Sequence, residues 1–315
     1  MLKVIEEFPN QCQTALELPK GMSVSGKIDK IVVAGMGGSA VGGDLLKTYM
    51  HNSKIPVYVV RDYKVPNFVD ETTLFFAVSY SGNTEETLSA FEDATKKKAK
   101  IVAVTSGGQL ASSAKRAIKI PSGLQPRAAL GYLFFPVLGV LVNSGIIDVK
   151  SGEISEMLAV LSKTSDFKVD GERIAKEIQD RTPIVYASEF FSAVAYRWKT
   201  QFNENSKIAA FHHAFSEMNH NEIAGYQTMN RSDFISIFIR DKDDNERIKK
   251  RMDITKEIIS SRVDVHEVHT KGDFLLSRIF SGIYYGDFIS YYLALANKID
   301  PTPVTVIENL KKKLK

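Results

Sequence analysis

A chain of 315 residues has room for about two domains. With 44% hydrophobic and 25% charged residues it has the composition of a soluble globular protein, which excludes disordered, collagenous and fibrous classes. The net charge of +4, concentrated in Lys96–Lys98 and a tail of Lys311, Lys312, Lys313 and Lys315, is too small for a dedicated nucleic-acid binder and suits a small anionic ligand.

The N-terminus mixes Lys3, Glu6 and Glu7 into its apolar residues, unlike a signal peptide. Cys12 is the only cysteine, so an intrachain disulfide and a Cys-based metal cluster are excluded, and a reducing cytoplasm is expected. Short β-branched runs bounded by turn residues predict buried parallel strands at Ile31–Ala34, Pro56–Val60, Leu74–Val78 and Ile101–Val104. Ala40–Met50, Glu85–Lys97 and Leu110–Ala117 have the length and polar faces of crossover helices, so residues 1–150 are expected to form a doubly wound α/β unit. Ala128–Val142 is the longest apolar stretch; it contains Gly131, Pro136 and Gly139, falls short of the roughly 18–20 residues of a membrane span, and predicts a buried helix. The polar stretch from Val149 to about Asp170 reads as the linker, with helical pieces of its own.

The pattern then recurs. Pro183–Ala187 repeats the strand signal, Ser192-Ala193-Val194 repeats Ser39-Ala40-Val41, and Asn205-Ser206-Lys207-Ile208 repeats Asn52-Ser53-Lys54-Ile55, the last two at a common offset of 153 residues. Two matches at one spacing point to a duplicated α/β domain, so residues 151–315 are expected to form a second unit, with further strands at Phe234–Ile239 and Val263–Val268.

Two loops carry chemistry. Gly35-Met36-Gly37-Gly38-Ser39-Ala40, between a predicted strand and helix, lets backbone amides and a helix N-terminus approach an anion. It also satisfies a dinucleotide fingerprint, with Asp62 as a candidate ribose acid, so a nicotinamide dehydrogenase is one alternative. The second loop, Ser79-Tyr80-Ser81-Gly82-Asn83-Thr84, follows the third strand and opens a helix, with Asn83 and Glu86 expected to form a capping box. Its hydroxyls and orphan amides, without the lysine of a P-loop, suit a single phosphate monoester; an ordinary polar turn with a good cap is the plain alternative.

These two loops together resemble the sugar isomerase (SIS) domain family. The tandem arrangement, with Pro126-Arg127-Ala128-Ala129-Leu130, Phe202-Asn203-Glu204-Asn205, His220-Asn221, Asp300-Pro301-Thr302-Pro303 and Leu310-Lys311, resembles its bifunctional phosphoglucose/phosphomannose isomerases across both halves. The resemblance implies two tandem flavodoxin-like SIS domains and an aldose–ketose isomerase acting on glucose 6-phosphate and mannose 6-phosphate through an enediolate. It also implies that the second copy lacks the phosphate loop, and Ile235–Asp241 indeed contains no Ser-x-Ser-Gly-x-Thr.

By this resemblance Gly37, Gly38, Ser39, Ser79, Ser81 and Thr84 hold the phosphate and nearby sugar, and Arg127 stands beside the enediolate. Glu204 is expected to be the base that carries a proton between adjacent carbons. His220, an imidazole able to give or take a proton, and Lys311 are expected to open the ring, His220 in the site of a neighbouring subunit, which makes a homodimer the catalytic unit. Position 219 is Asn219, so histidine chemistry there rests on His220 alone, and either Thr302 or Thr305 could be the threonine that admits both C2 epimers. No cofactor is expected, and no metal, because His212-His213 and His266/His269 lack a ligand spacing. The remaining alternative is a non-catalytic SIS sensor of sugar phosphates, which would not need Glu204, His220 or Lys311.

Overall fold

In a computed structural model Met1–Leu314 are described; Lys315, the end of the basic tail, lies outside the described residues. The chain divides into a front unit, Glu6–Ser162 with Phe274–Ser277, and a rear unit, Met1–Ile5 with Lys163–Asp273 and the chain from Arg278 onward.

In the front unit five parallel strands, β1 (Lys30–Ala34), β2 (Val57–Val60), β3 (Thr73–Val78), β4 (Lys100–Thr105) and β5 (Ala117–Lys119), lie in the order β2-β1-β3-β4-β5. Every residue of β3 is buried, as a central strand covered on both faces requires. Val32, Ala34, Phe75, Ala77 and Ala103 pack with Ala90 and Ala94 of the helix Glu85–Lys96 into one core. The first connection turns one way from β1 and the later ones the other way, so the switch point falls between β1 and β3, where such folds bind ligands at the carboxyl ends of the strands.

The rear unit repeats this plan with four parallel strands, β6 (Thr182–Ala187), β7 (Phe211–Ala214), β8 (Phe234–Arg240) and β9 (Asp264–His269), ordered β7-β6-β8-β9. The order is that of the front sheet without its last strand. Ser39 and Ser192 both lie in the first turn of the helix after the first strand of their unit, as the repeated tripeptide predicts. The expected architecture, two doubly wound parallel sheets, is the observed one.

One expectation needs correction, and one strand went unforeseen. The helix expected at Leu110–Ala117 ends at Ser113, because Ala114 turns extended and Ala117–Lys119 joins the sheet as β5, a three-residue edge strand too short to announce itself. β7 escaped notice because its sequence is Phe-His-His-Ala, with little apolar signal. The boundary between the two units, Ser162/Lys163, falls inside the expected linker, which is helical and packs through a few residues: the helices Glu153–Leu161 and Thr164–Ile178 fully bury Met157, Leu161 and Phe167. Glu153 itself is buried, accepting bonds from Tyr49 Oη at 3.1 Å and from Leu276 N at 3.2 Å. Burial first, and then that carboxylate, push the Tyr49 hydroxyl well above its ordinary range.

At the outer edge of the rear sheet, Arg240 Nη1 and Lys256 Nζ both reach Glu267, at 2.5 Å each, and Arg240 Nη2 pairs with Asp253 at 2.7 Å. Burial of Glu267 opposes ionisation, but the hydrogen bonds of Lys256 and Arg240 outweigh it and hold its pKa below the ordinary carboxylate value. A depressed folded-state pKa contributes stability above the unfolded value, and that contribution is lost as pH falls through the folded value. Glu267→Gln should therefore cost about 1–2 kcal/mol at pH 7, read as a lower thermal midpoint. The gap to the native chain should close as the pH drops below 4.5; a gap constant down to strongly acidic pH would refute this.

Candidate active site

The front unit builds its site from two facing loops. Strand register sets Ala34 opposite Ala77, so the turns that follow β1 and β3 emerge side by side. Their contact is close: a Cβ on Gly35 would lie 2.8 Å from the carbonyl oxygen of Val78. Gly37 takes φ +53°, a conformation that suits glycine, and starts the helix Gly38–Tyr49. Ser39 is almost buried in its first turn.

After β3, Ser79 is buried, and its hydroxyl accepts the Gly82 amide at 3.1 Å and shares a 2.9 Å bond with the Thr84 hydroxyl. Ser79 thus braces the loop from within, while Ser81 is exposed and Thr84 half-buried. Gly82, at φ +70°, touches the turn after β4: a Cβ there would fall 1.8 Å from Gly107 O, and one on Gly108 would fall 2.4 Å from Ser81 O. The Gly107-Gly108 pair, which the sequence reading passed over, is therefore part of the loop's scaffold.

The expected capping box is absent. The helix starts one residue later, at Glu85, with Thr84 at its N-cap and no side-chain cap bond. Asn83 Oδ1 instead accepts the Gln109 amide at 2.9 Å. The amides of the first turn, beside Ser81 and Thr84, therefore take no side-chain cap, as an anion-binding helix start requires.

Arg127 joins the same loops. It sits in a single tight turn, Pro126–Ala128, ahead of the buried helix Leu130–Asn143, and is itself 1% exposed. Pro126 O and Arg127 Cα lie 3.1 and 3.3 Å from where a Gly38 Cβ would be. Only glycine lets this turn approach so closely. Gln11, unsuspected from the sequence, clips the turn by donating to Ala128 O at 2.9 Å and accepting from Gly131 N at 2.7 Å.

In the rear unit Glu204 occupies an unusual place. The helix Ser192–Gln201 widens at its end into a π-turn, Phe202–Ser206, closed by Lys207 at φ +57°. Such widened turns cost backbone regularity and occur often at functional sites. The neighbours of Glu204 anchor it. Asn203 Nδ2 donates to Ile208 O at 2.8 Å, Asn205 Nδ2 to Ser290 Oγ at 3.0 Å, and Ser206 Oγ to Ser290 O at 2.6 Å. One turn away, Asp287 Oδ1 accepts from Gln201 and Arg197 at 2.6 and 3.1 Å, all three buried. Glu204 remains half-exposed at the centre of this clamp. No sequence signal foretold the π-turn, although the Asn-Glu-Asn bracket marks its anchors.

Lys207 Nζ bonds Glu204 O and reaches Pro301 O at 3.4 Å, so the segment holding Thr302 is tied to this turn, whereas Thr305 opens the terminal helix Thr305–Lys313. Lys311 lies on that helix, fully exposed, with no ion-pair or hydrogen-bond partner among the described residues.

His220 is exposed, but its loop is rigid. Glu222 accepts from Tyr186 Oη at 2.6 Å and bonds His213 Nδ1 at 2.7 Å, and Tyr226 Oη bonds Tyr186 and Ser236 hydroxyls at 2.7 and 2.8 Å. On the other side Asn219 Nδ2 donates to Thr255 Oγ1 at 2.8 Å. Burial pushes the Tyr226 hydroxyl up to about 12, so these groups hold their protons and serve as braces.

Where the front sheet has its hydroxyl-lined loop, the rear sheet has an ion-paired plug. Asp241, after β8, is buried against Arg278 Nε at 3.0 Å and accepts from Thr270 Oγ1 at 2.5 Å, and Arg278 also holds Asp243 at 2.8 Å. Carboxylates there repel an anion. Asp244 beside them is driven up in pKa chiefly by burial. Among the described residues no group of three or more His, Cys, Asp or Glu is placed to hold a metal, and no helix is long and apolar enough to cross a membrane.

Residues 27–134 match the SIS domain family, and residues 167–314 match the bacterial phospho-glucose isomerase C-terminal SIS domain. The bifunctional phosphoglucose/phosphomannose isomerase of Caldicellulosiruptor bescii is 44% identical, the match covering 100% of this chain and 98% of that protein. Its namesake in Thermoplasma acidophilum is 42% identical over 98% of this chain and 97% of its own. Among solved structures, the C-terminal domain of glucosamine-fructose-6-phosphate aminotransferase from Francisella tularensis has a TM-score of 0.76 at 16% identity, covering 96% of this chain and 98% of that one, a likeness of fold alone. Relatives this similar, matching end to end, place this chain in the bifunctional phosphoglucose/phosphomannose isomerase family.

Proposed function

We propose that this chain interconverts glucose 6-phosphate and mannose 6-phosphate with fructose 6-phosphate. The observation that carries the reading is that an anion cradle is built once per chain: hydroxyls and an open helix N-terminus follow β3, whereas Asp241 and Arg278 fill the matching place after β8. One phosphate per chain follows, bound through Ser81, Thr84 and first-turn amides, with Gly37, Gly38 and Ser39 bordering the sugar and Ser79 bracing from within.

The family resemblance makes Glu204 the base that serves C1 and C2 of the bound sugar. Glu204 takes the C2 proton of the open aldose as the C1 carbonyl becomes an enediolate oxygen, and returns the proton to C1 as the ketone forms at C2; the oxygens exchange one proton between them. The guanidinium of Arg127, held in place by the turn that Gln11 clips, stabilises the negative charge that develops on those oxygens. His220 and Lys311 transfer protons at the ring oxygen and O1 during opening. The exposure of both fits groups that act outside their own surroundings, His220 in a second copy of the chain. Thr302, in the segment tied to the Glu204 turn, is the better placed of the two threonines to border C2. A lone buried cysteine suits action in the reducing cytoplasm, in central sugar-phosphate metabolism.

The test is a coupled assay of purified protein on glucose 6-phosphate, mannose 6-phosphate and arabinose 5-phosphate. Turnover of the first two and not the third is expected; no turnover of either hexose phosphate would sink the proposal. Mixing inactive Glu204→Gln and His220→Ala proteins tests the shared site: hybrid dimers pairing an intact Glu204 with an intact His220 should recover part of the activity. No recovery after subunit exchange has been shown would refute the crossed histidine.

Ser290 and Asp287 act on Glu204 by positioning its turn. Ser290→Ala removes the acceptor of Asn205 and should lower kcat about tenfold, since a small misplacement of a reacting group is costly, while KM stays within about twofold. Ser290→Thr, which keeps the hydroxyl, should retain most turnover. Equal loss in both variants would assign the position to packing alone.

A further inference from the structure

Within the rear unit a cleft of about 260 Å³ runs along the helix Glu246–Ile259. The helix contributes Arg247, Lys250 and Arg251 toward its start and Ile254 and Ile258 toward its end, a span of about 16 Å at about 1.5 Å per residue. Asn219 and Ile223 line the cleft from the segment packed against that helix.

The charged end lacks a counter-ion of its own. No carboxylate lines the cleft, and neighbouring carboxylates are engaged elsewhere: Glu217 accepts from Asn221, Glu222 bonds Tyr186 and His213, Glu246 pairs with Lys249, and Asp253 with Arg240. Among the described residues Arg247 and Lys250 have no ion-pair partner, and the Arg251 guanidinium meets Asn219 Oδ1 at 3.4 Å. Like charges so close repel one another until an anion joins them, and the start of a helix adds its dipole to the attraction. Adjacent phosphates supply the matching charge and the paired oxygens that a guanidinium fork takes up.

The other end is apolar. Ile254 and Ile258 stand 45% and 55% exposed, and Ile223 is half-buried. Aliphatic walls suit the faces of a planar ring and offer the hydroxyls of a sugar few partners. We infer that this cleft binds a nucleoside di- or triphosphate, with its phosphates on Arg247, Lys250 and Arg251 and its base between Ile223 and Ile254. Such a ligand is neither substrate nor product of the proposed isomerisation, so the site goes beyond that reaction. Its effect on turnover rests on the role proposed for His220. Arg251 holds Asn219, which directly precedes His220. Phosphates that draw the guanidinium away loosen that hold, so occupancy lowers turnover.

Calorimetric titration of the full chain with ADP, inorganic pyrophosphate and adenosine tests the site. ADP should bind about tenfold more tightly than pyrophosphate, because its base covers exposed aliphatic surface, and adenosine should bind more weakly than either. Arg247→Gln/Lys250→Gln alters two exposed side chains and should weaken ADP about thirtyfold or more, since charge-assisted bonds to phosphate are lost. Ile254→Ser should bring ADP down to the affinity of pyrophosphate and leave pyrophosphate unchanged. Saturating glucose 6-phosphate should not displace ADP, which separates the cleft from the loop after β3. ADP binding that survives the double substitution, or that glucose 6-phosphate abolishes, would overturn the assignment, as would pyrophosphate binding as tight as that of ADP. In the isomerase assay ADP should lower kcat about fivefold, the lower range of couplings between sites, with KM for glucose 6-phosphate unchanged. The double variant should keep native turnover and lose this response. Unaltered kcat at saturating ADP would refute regulation through Asn219. Absence of turnover without nucleotide would count against the proposed function instead, and the titrations judge the cleft independently of it.

Discussion

Glu204→Gln should bind sugar phosphate with nearly native affinity and lose turnover by about 10²–10⁴, the usual contribution of a positioned base, or about 3–5 kcal/mol of barrier. The side chains are isosteric, and the turn is fixed by Asn203, Asn205 and Ser206. The variant therefore removes a proton acceptor and leaves its mount in place. The fall should lie in kcat, with KM changed by no more than a few fold. Exchange of the C2 hydrogen of fructose 6-phosphate-derived aldose with solvent deuterium should fall in parallel, since the same proton transfer governs both. A variant with near-native turnover would take Glu204 out of the reaction; unchanged exchange with slow turnover would move its role to ring opening.

Gly82→Ala should instead damage phosphate binding, by a steric route. Its Cβ would stand 1.8 Å from Gly107 O and 2.8 Å from Thr105 Oγ1, in a backbone conformation, φ +70°, that alanine disfavours. The obstacle cannot withdraw easily. Gly107 O accepts from Thr105 Oγ1 at 2.8 Å, and Gly82 O accepts from Leu110 N at 2.9 Å, so the two turns are fastened to each other. The left-handed backbone alone costs about 1–2 kcal/mol, and displacement of the loop adds to it. KM for glucose 6-phosphate should rise about tenfold or more, with a lower thermal midpoint. Gly123→Ala is the control: it also has positive φ, but nothing lies within 4 Å of its added carbon, so it should show the backbone cost without the collision. Equal KM values for the two variants would show that the interlock of the β3 and β4 turns does not shape the phosphate site.

Strands buried on both faces could be found from sequence because β-branched runs such as Ile31–Ala34 and Leu74–Val78 need no partner to be recognised, and two repeats at one offset exposed the duplication. Short edges could not. β5 has three residues and β7 two histidines, and their extended conformation comes from pairing with β4 and β6. Likewise the capping box looked complete in the sequence of Asn83 and Glu86, but Asn83 finds a better acceptor role at Gln109, a residue brought near only by the fold.

The order of residues along the chain was enough to determine two doubly wound units, a hydroxyl-bearing glycine loop after the third strand and a short roster of candidate groups, because each rests on local backbone chemistry or side-chain type. Tertiary structure alone decided that Ser79 braces while Ser81 and Thr84 face outward, that Arg127 is held against Gly38, and that Glu204 rides on a π-turn clamped by Ser290. The physical reason is that side-chain direction and contact are settled by packing: Arg127 and Gly38, or Asn205 and Ser290, stand dozens of residues apart, and a hydrogen bond or a van der Waals contact exists only when folding has brought both partners to one place.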